Sequence, residues 1–331
     1  MSDFLTHLYA RAGKLNKTVA LAEAFDGRVV KAGEIAANNK IANIVLIGDE
    51  AATKAKFPEI DYTNIKFANP NKHPKLAEYT KLLFELRKSK GMTEAQAAEI
   101  IKQPLYFGAI MLKAGDVDGM VGGAVYSSGD VLRAALQVIK GAPGINTVSS
   151  CFVMVPPDGF KYCDAPAMIF SDCAVVPYPS AEQLADIVSA SYMSAKSIVQ
   201  ITPKIAMLSF STKGSAKHES IDKVTAAYNL VKQSHPDYLV DGELQLDAAI
   251  VPSVGSQKAP GSGVAGNANV LIFPNLDAGN IGYKLAQRFG GCMAIGPIMQ
   301  GLDKPVNDLS RGCVAEDVVA AIGITVLQSV K

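Results

Sequence analysis

The chain has 331 residues, too many for one ordinary core and enough for two α/β domains of typical size. Hydrophobic residues make up 49% and charged residues 19%, which excludes a disordered chain. A net charge of +1 excludes the long-range positive field of a nucleic-acid binder, so any anion site must be local.

The start, Met1 to Lys17, has no apolar run followed by a small-residue cleavage site. No later stretch approaches the roughly 20 apolar residues of a membrane span, so the expectation is a cytoplasmic protein with no membrane attachment. Short apolar runs at 19–22, 44–48, 120–125, 148–155, 205–210 and 270–273 predict buried strands. The amphipathic segments 27–39, 75–88, 130–140, 181–199, 223–233 and 279–289 predict helices between them. Thr93 with Gln96 has capping-box spacing, and Pro74 suits the first turn of the helix it opens. Such alternation predicts mostly parallel sheets flanked by helices.

Gly141, Pro143 and Gly144 break the chain between 140 and 146, and Gly290 and Gly291 form a second break. A final helix from about Cys313 to Gln328 has Val314, Val318, Ala321 and Ile322 at helical spacing. The expected organisation is a first domain of residues 1–146 plus 291–331, with 147–290 inserted as a second. The five cysteines (Cys151, Cys163, Cys173, Cys292, Cys313) show no Cys-x-x-Cys spacing and read as reduced thiols. The histidines are scattered, so no ligand set for a catalytic metal is expected.

Two stretches carry chemistry. In Pro305-Val-Asn-Asp-Leu-Ser-Arg-Gly312, a Ser-Arg pair before a helix offers a hydroxyl, a guanidinium and free backbone N–H groups to an oxyanion. Asp317 lies seven residues after Ser310, two turns if both are helical. The same residues also read as a helix cap (Asp308, Ser310) with Asp317 solvated. In the second stretch Lys258, Gly261, Gly263 and Gly266 precede a strand, and Asp277-Ala-Gly-Asn280 opens a helix. It is no Walker loop, since Lys258 is not followed by Ser or Thr in frame. Nor does Gly119-Met-Val-Gly-Gly123 have dinucleotide-fingerprint spacing.

Together these stretches resemble the signature of the phosphate acetyl/butyryl-transferase family. The match extends to Asp118-Gly-Met-Val-Gly-Gly-Ala124, 127–139, Met207-Leu-Ser-Phe-Ser-Thr-Lys-Gly-Ser215 and Gln287-Arg288, nearly the whole chain at the length of the family's short form. Gly261 and Asn275 stand where the family often carries aspartate. The resemblance implies a two-domain α/β fold like that of isocitrate and isopropylmalate dehydrogenases, with the active site in the interdomain cleft and a homodimer as the assembly. It implies reversible acetyl transfer between coenzyme A and inorganic phosphate, with acetyl phosphate as the other substrate and no tightly bound cofactor or metal. Ser310, Arg311 and Asp317 are then catalytic, and Arg87 and Arg133 contact coenzyme A. Ser128, Lys258, Tyr283 and Arg288 join them in substrate binding. Butyryl transfer is the alternative within the family. A metal- and NAD(P)-dependent decarboxylating dehydrogenase of the same fold is the alternative outside it.

The expected reaction is attack of the coenzyme A thiol on the acetyl carbonyl, with Asp317 as base, Arg311 as electrophile and Ser310 as donor. A thiol near pKa ~8.5 and an aspartate near ~3.9 are mismatched by about 6 kcal/mol. Burial of Asp317, a thiolate-stabilising cation, or proton transfer during attack must close that gap. Cys313 reads as packing rather than as a nucleophile, since no histidine lies nearby in sequence to activate it.

Overall fold

Apolar runs too short for helices become strands covered on both faces, and the amphipathic segments between them supply the cover. The computed structural model describes residues 3–163 and 165–330; Met1 and Lys331, the expected outer limits of the first domain, lie outside these. In chain order the structure opens with α1 (Asp3–Lys14), β1 (Thr18–Leu21), α2 (Gly27–Asn38), β2 (Asn43–Ile47), α3 (Glu50–Lys56) and β3 (Ile65–Ala68). It continues with α4 (Leu76–Arg87), α5 (Glu94–Ile100), α6 (Pro104–Ala114), β4 (Gly119–Gly122) and α7 (Ser128–Val138). There follow β5 (Ser149–Val155), β6 (Met168–Ser171), α8 (Ala181–Ser194), β7 (Ile205–Leu208), α9 (Glu219–Ser234) and β8 (Val240–Leu244). The remaining elements are α10 (Leu246–Ile250), α11 (Pro252–Lys258), β9 (Val270–Ile272), α12 (Leu276–Arg288), β10 (Met293–Gln300), β11 (Val306–Asp308) and α13 (Ala315–Gln328).

Helix starts follow local chemistry. Asp26, Asp49, Ser127 and Asn275 each accept a backbone N–H as N-cap, and Thr93 with Gln96 closes the expected capping box. Asn275 does what an aspartate would do there.

The chain forms two compact units, Met1–Pro143 with Leu302–Lys331, and Gly144–Gly301. In the first, five parallel strands lie in the order β11-β4-β1-β2-β3, with Val19 opposite Ile44 and Gly119. One core joins Tyr79, Leu83, Phe107, Ile110 and Met120; burying each large side chain stabilises by about 1.5–3 kcal/mol. Helix α13 is apolar all round, and Val318 through Leu327 are buried without a break. It is covered by α1, α2 and the sheet.

In the second unit six strands lie in the order β10-β5-β6-β9-β7-β8. The β10–β5 and β5–β6 pairs are antiparallel and the other three are parallel. The second division of the chain falls at 301/302 rather than at 290/291. Segment 293–300 is a strand paired along β5 with one bulge, so it stays with the second unit. The first division falls at 143/144, inside the expected break.

Candidate active site

In a parallel sheet the carboxyl ends of neighbouring strands share one edge, where ligands characteristically bind. β1, β4 and β11 are neighbours, so the residues just after each come together. After β1 comes Glu23, which is fully buried. Its carboxylate accepts the N–H groups of Gly123 (3.0 Å) and Ala124 (2.9 Å) on one oxygen, and of Val125 (2.7 Å) and Tyr126 (3.0 Å) on the other. One buried acid therefore shapes the whole loop from β4 to α7 and satisfies four amides that would otherwise be costly to bury.

After β11 the chain turns through Ser310, Arg311 and Gly312, all exposed, before buried Cys313 and the start of α13. The Ser310 carbonyl accepts the Cys313 N–H at 2.9 Å, and the Ser310 hydroxyl accepts the Gly312 N–H at 3.3 Å. The N-cap of α13 is Val314. Ser310 thus precedes the helix by several residues, and its seven-residue spacing from Asp317 is not two helical turns. The reading of Asp308 and Ser310 as the caps of α13 fails for the same reason. Asp317 instead takes the capping part: its Oδ2 accepts the Val314 N–H at 3.0 Å while the residue stays exposed.

This turn is braced by a residue the sequence analysis did not single out. The Arg28 guanidinium, at the start of α2, donates to the Arg311 carbonyl (2.8 Å), the Cys313 carbonyl (3.1 Å) and the Ala124 carbonyl (2.9 Å). Asp26 holds it from behind through bonds of 3.0 and 2.8 Å. The Arg28 side chain, chiefly by hydrogen bonding, holds the Asp26 carboxyl below its usual range, and Asp26 in turn raises Arg28. The one local sign of this brace is Asp26-Gly-Arg28 at a helix start. Its three carbonyl partners lie about 100 and 280 positions away in sequence.

Cys313 is buried, and burial raises its thiol pKa although Arg28 opposes the rise. It is a packed thiol rather than an activated one. Asp308, the last residue of β11, is only 2% exposed, and neither of its carboxylate oxygens has a hydrogen-bond partner. Burial pushes its pKa up to about 7 and Glu23 adds to the rise. The Ser128 side chain and the Leu309 N–H lie close enough to oppose that rise, but neither reaches hydrogen-bond geometry.

Ser128 is the first residue of α7 and is exposed. Arg133, on the same helix, is exposed and pairs with Asp130 at 2.8 Å. Arg87 ends α4, and its Nε is buried without a partner. Tyr106 of α6 feels both: burial raises its pKa, whereas Arg133 and Arg87 lower it. The fold therefore gathers the two arginines around one tyrosine, whose hydroxyl donates to Gln137 at 2.9 Å.

In the second unit the expected residues do not form one group. Lys258 donates to Gln245 (3.0 Å) and Asp247 (2.9 Å). It lines a cavity of about 570 Å³ with Lys213, Tyr228, Lys232 and Tyr238, beside β8. Tyr283 stacks on Phe152 of β5, ring centroids 3.9 Å apart, and Arg288 on the same helix lowers its burial-raised pKa. Lys258 and Tyr283 thus belong to opposite halves of the sheet. Gly279 has a steric reason: a Cβ there would lie 2.3 Å from the Asp172 carbonyl oxygen. Among the described residues no group of three His, Cys, Asp or Glu is arranged to hold a metal ion, and no helix is long and apolar enough to cross a membrane.

The family model described as phosphate acetyl/butaryl transferase matches residues 3–326. The phosphate acetyltransferase of Acetivibrio thermocellus is 49% identical over 327 residues, covering 99% of this chain and 98% of its own. A phosphotransacetylase from Streptococcus pyogenes superposes with a TM-score of 0.93 at 40% identity, covering 100% of this chain and 99% of the other. At the level of fold alone, 4-hydroxythreonine-4-phosphate dehydrogenase from Klebsiella pneumoniae matches with a TM-score of 0.53 at 12% identity, covering 94% and 100% of the two chains. By the extent of these matches the chain belongs to the phosphate acetyl/butyryl-transferase family, whose members are acyltransferases.

Proposed function

We propose that this protein is a phosphate acetyltransferase that moves acetyl reversibly between coenzyme A and inorganic phosphate. The observation that carries the reading is the turn after β11. It presents Ser310, Arg311 and Asp317 on the surface, while Arg28 holds the backbone carbonyls on either side of Gly312. A rigid turn that offers a hydroxyl, a guanidinium and a carboxylate suits attack on an acyl phosphate.

In this reading the thiol of coenzyme A attacks the acetyl carbonyl carbon. Its proton passes to Asp317, the carbonyl oxygen gathers charge beside Arg311, and phosphate departs with the C–O bonding pair. Asp317 and Arg311 are both exposed at this turn, so proton transfer can accompany attack while Arg311 takes up the developing charge. Ser310 donates to the tetrahedral intermediate or to the thiol. Arg87 and Arg133, gathered about Tyr106, suit the phosphates of coenzyme A. Ser128, exposed at the first turn of α7, suits the phosphate of the acyl phosphate. The thiol beside the turn is buried and its pKa raised, which supports direct transfer in a ternary complex with no acyl-enzyme. No tightly bound cofactor is needed for this chemistry.

We read the two compact units as the two domains, and place the protein in the cytoplasm as a homodimer. Supporting a self-association surface, α12 exposes Ile281 and Leu285, and its C-cap residue Phe289 is 89% exposed. Sedimentation of the wild type against Phe289→Asp tests that surface, and a dimer unaffected by the change refutes it.

The function is tested by thiol consumption with acetyl phosphate and butyryl phosphate side by side. One or two methylenes change pocket discrimination by only about 1–3 kcal/mol each, so the comparison must be of kcat/KM. Faster turnover of butyryl phosphate, or turnover abolished by a chelator, overturns the proposal.

A further inference from the structure

Glu23 and Arg28 reach the site from one short stretch of chain, the link between β1 and the start of α2. The Asp26 N–H donates to the Glu23 carbonyl at 3.0 Å, and the Asp26 carboxylate accepts the Arg28 N–H at 2.9 Å, so this link is itself a closed turn. Its two charged side chains meet across one peptide of the β4–α7 loop. The unit joining Ala124 to Val125 is held at both ends: its N–H donates to Glu23 Oε1 at 2.7 Å, and its carbonyl accepts from Arg28 Nη2 at 2.9 Å. A planar peptide held in this way cannot rotate without giving up one of the two bonds. Both bonds are charge-assisted, the stronger kind. The other terminal nitrogen of the same guanidinium, Nη1, donates to the carbonyls of Arg311 and Cys313. A continuous path of hydrogen bonds therefore runs from buried Glu23 through the loop peptide and Arg28 to the turn after β11. The loop also packs on the chain entering that turn: a Cβ on Gly123, at φ +110°, would lie 2.8 Å from the Leu309 nitrogen.

We propose that Glu23 is a positioning residue for acetyl transfer: it fixes the loop peptide against which Arg28 holds the turn that carries Ser310 and Arg311. Arg28 is only part-buried, and a long side chain there keeps rotamer freedom that would blur the carbonyls it grips. Its bonds to Asp26 and to the Ala124 carbonyl set the plane of the guanidinium. Ala124 is in turn fixed by Glu23, which anchors the four amides from Gly123 to Tyr126. Loss of that anchor frees the loop peptide, then the guanidinium plane, then the turn. A displacement of about 1 Å at reacting groups costs on the order of 100-fold in rate. The proposal rests on the assignment of this turn to the chemistry.

Glu23→Gln is the test substitution: its shape is the same, but one acceptor oxygen now serves the four N–H groups, and an NH2 group faces the rest. Two readouts keep the proposal and the assignment of the turn apart. Hydrogen–deuterium exchange of the ligand-free protein reads the path itself. In Glu23→Gln the Gly312 and Cys313 amides should exchange about fivefold faster, the scale of one hydrogen bond, and by a larger factor than the amides of β2. In Arg28→Gln the amides from Gly123 to Tyr126 should accelerate in the same way. The second readout is kcat/KM for acetyl phosphate, which should fall on the order of 10–100-fold in either variant. The double variant should be about as slow as the slower single one, because both changes break one path. Unchanged exchange at the turn in Glu23→Gln, or equal acceleration at the turn and in β2, overturns the proposal whatever the kinetics. Losses that multiply in the double variant mean that Glu23 and Arg28 act separately, and the proposal is again wrong. If the turn loosens while kcat/KM stays at the wild-type value, the assignment of the turn falls and the proposal with it. Should Glu23→Gln fail to fold, Arg28→Gln reads the same path from its other end, and unchanged protection from Gly123 to Tyr126 overturns it.

Discussion

The turn at 309–317 and the stretch from 258 to 288 are the two most chemically suggestive segments of the sequence, and the structure treats them differently. In the first, the functional side chains are exposed and the backbone beneath them is held by distant residues: Arg28 grips the carbonyls of Arg311 and Cys313, and Glu23 holds the amides of the adjacent loop. In the second, the side chains are already engaged. Lys258 sits between Gln245 and Asp247, Tyr283 lies flat on Phe152, and Gly279 is there because the Asp172 carbonyl leaves no room for a Cβ. The contrast teaches that a reactive site needs a held backbone whose functional side chains stay open to solvent. A glycine-rich, lysine-bearing stretch can meet structural demands first.

The sharpest test of the contrast is Asp317→Asn. The amide keeps an acceptor oxygen for the Val314 N–H, so the helix start survives. The general base is lost, and kcat should fall by about 10²–10⁴-fold. Near-wild-type turnover in a folded variant would remove Asp317 from the mechanism.

Next in size is Arg28→Gln, which touches no proposed reacting atom. The turn loses its charged brace, so kcat/KM should drop on the order of 10–100-fold through misplacement. Stability should fall by on the order of 1–3 kcal/mol, from charge-assisted hydrogen bonds lost. A variant with kcat intact and only stability reduced would show that the turn holds its shape without Arg28.

Arg87→Ala and Arg133→Ala should raise the KM for coenzyme A roughly tenfold each, as lost charge-assisted contacts do. The KM for acetyl phosphate should move far less. Saturation curves for both substrates at low and high salt decide this, because exposed charges are screened beyond about 8–10 Å. Equal effects on both substrates would mean that the two arginines do not mark the coenzyme A site.

Asp308→Asn carries a stability signature with a definite sign. The native carboxyl ionises near 7 instead of its ordinary 3.8. Between those values the folded chain keeps a proton that the unfolded chain has released, so this group makes stability fall as pH rises from about 4 to 7. At ~1.4 kcal/mol per pH unit the upper bound is about 4 kcal/mol, and relaxation of the site reduces it. Urea denaturation at pH 5, 6, 7 and 8 should show a flatter profile for the variant than for the wild type; parallel profiles would mean that Asp308 ionises normally.

The smallest effect is expected from Lys258→Ala. Its side chain is 36% exposed and paired with an exposed Asp247, and such pairs contribute about 0–1 kcal/mol. A loss of acetyl phosphate affinity beyond about threefold would break the contrast, by showing that an engaged lysine in the second unit still serves the substrate.

What the sequence determined by itself was whatever depends on neighbouring residues. The runs at 19–22, 44–48 and 205–210 are apolar on both faces and became β1, β2 and β7, and the Thr93–Gln96 box closes within one turn. The Pro-Val-Asn-Asp-Leu-Ser-Arg-Gly block pointed to the family, because its spacing is local. Strands β10 and β11 were not legible: the first carries Gly296, Pro297 and Gln300, and the second is three residues long with two polar ones. They are strands because β5 and β4 offer them hydrogen-bonding edges. Only tertiary structure could decide the roles of Glu23, Arg28 and Asp308. An acid or an arginine in a sequence reads as a solvated charge until the fold buries it or supplies its partners. The partners of Glu23 lie 100 positions away, those of Arg28 up to 285, and Asp308 is defined by having none within hydrogen-bond reach. Burial is a property of the packed molecule, and it pushes the pKa of an otherwise ordinary aspartate up to about 7.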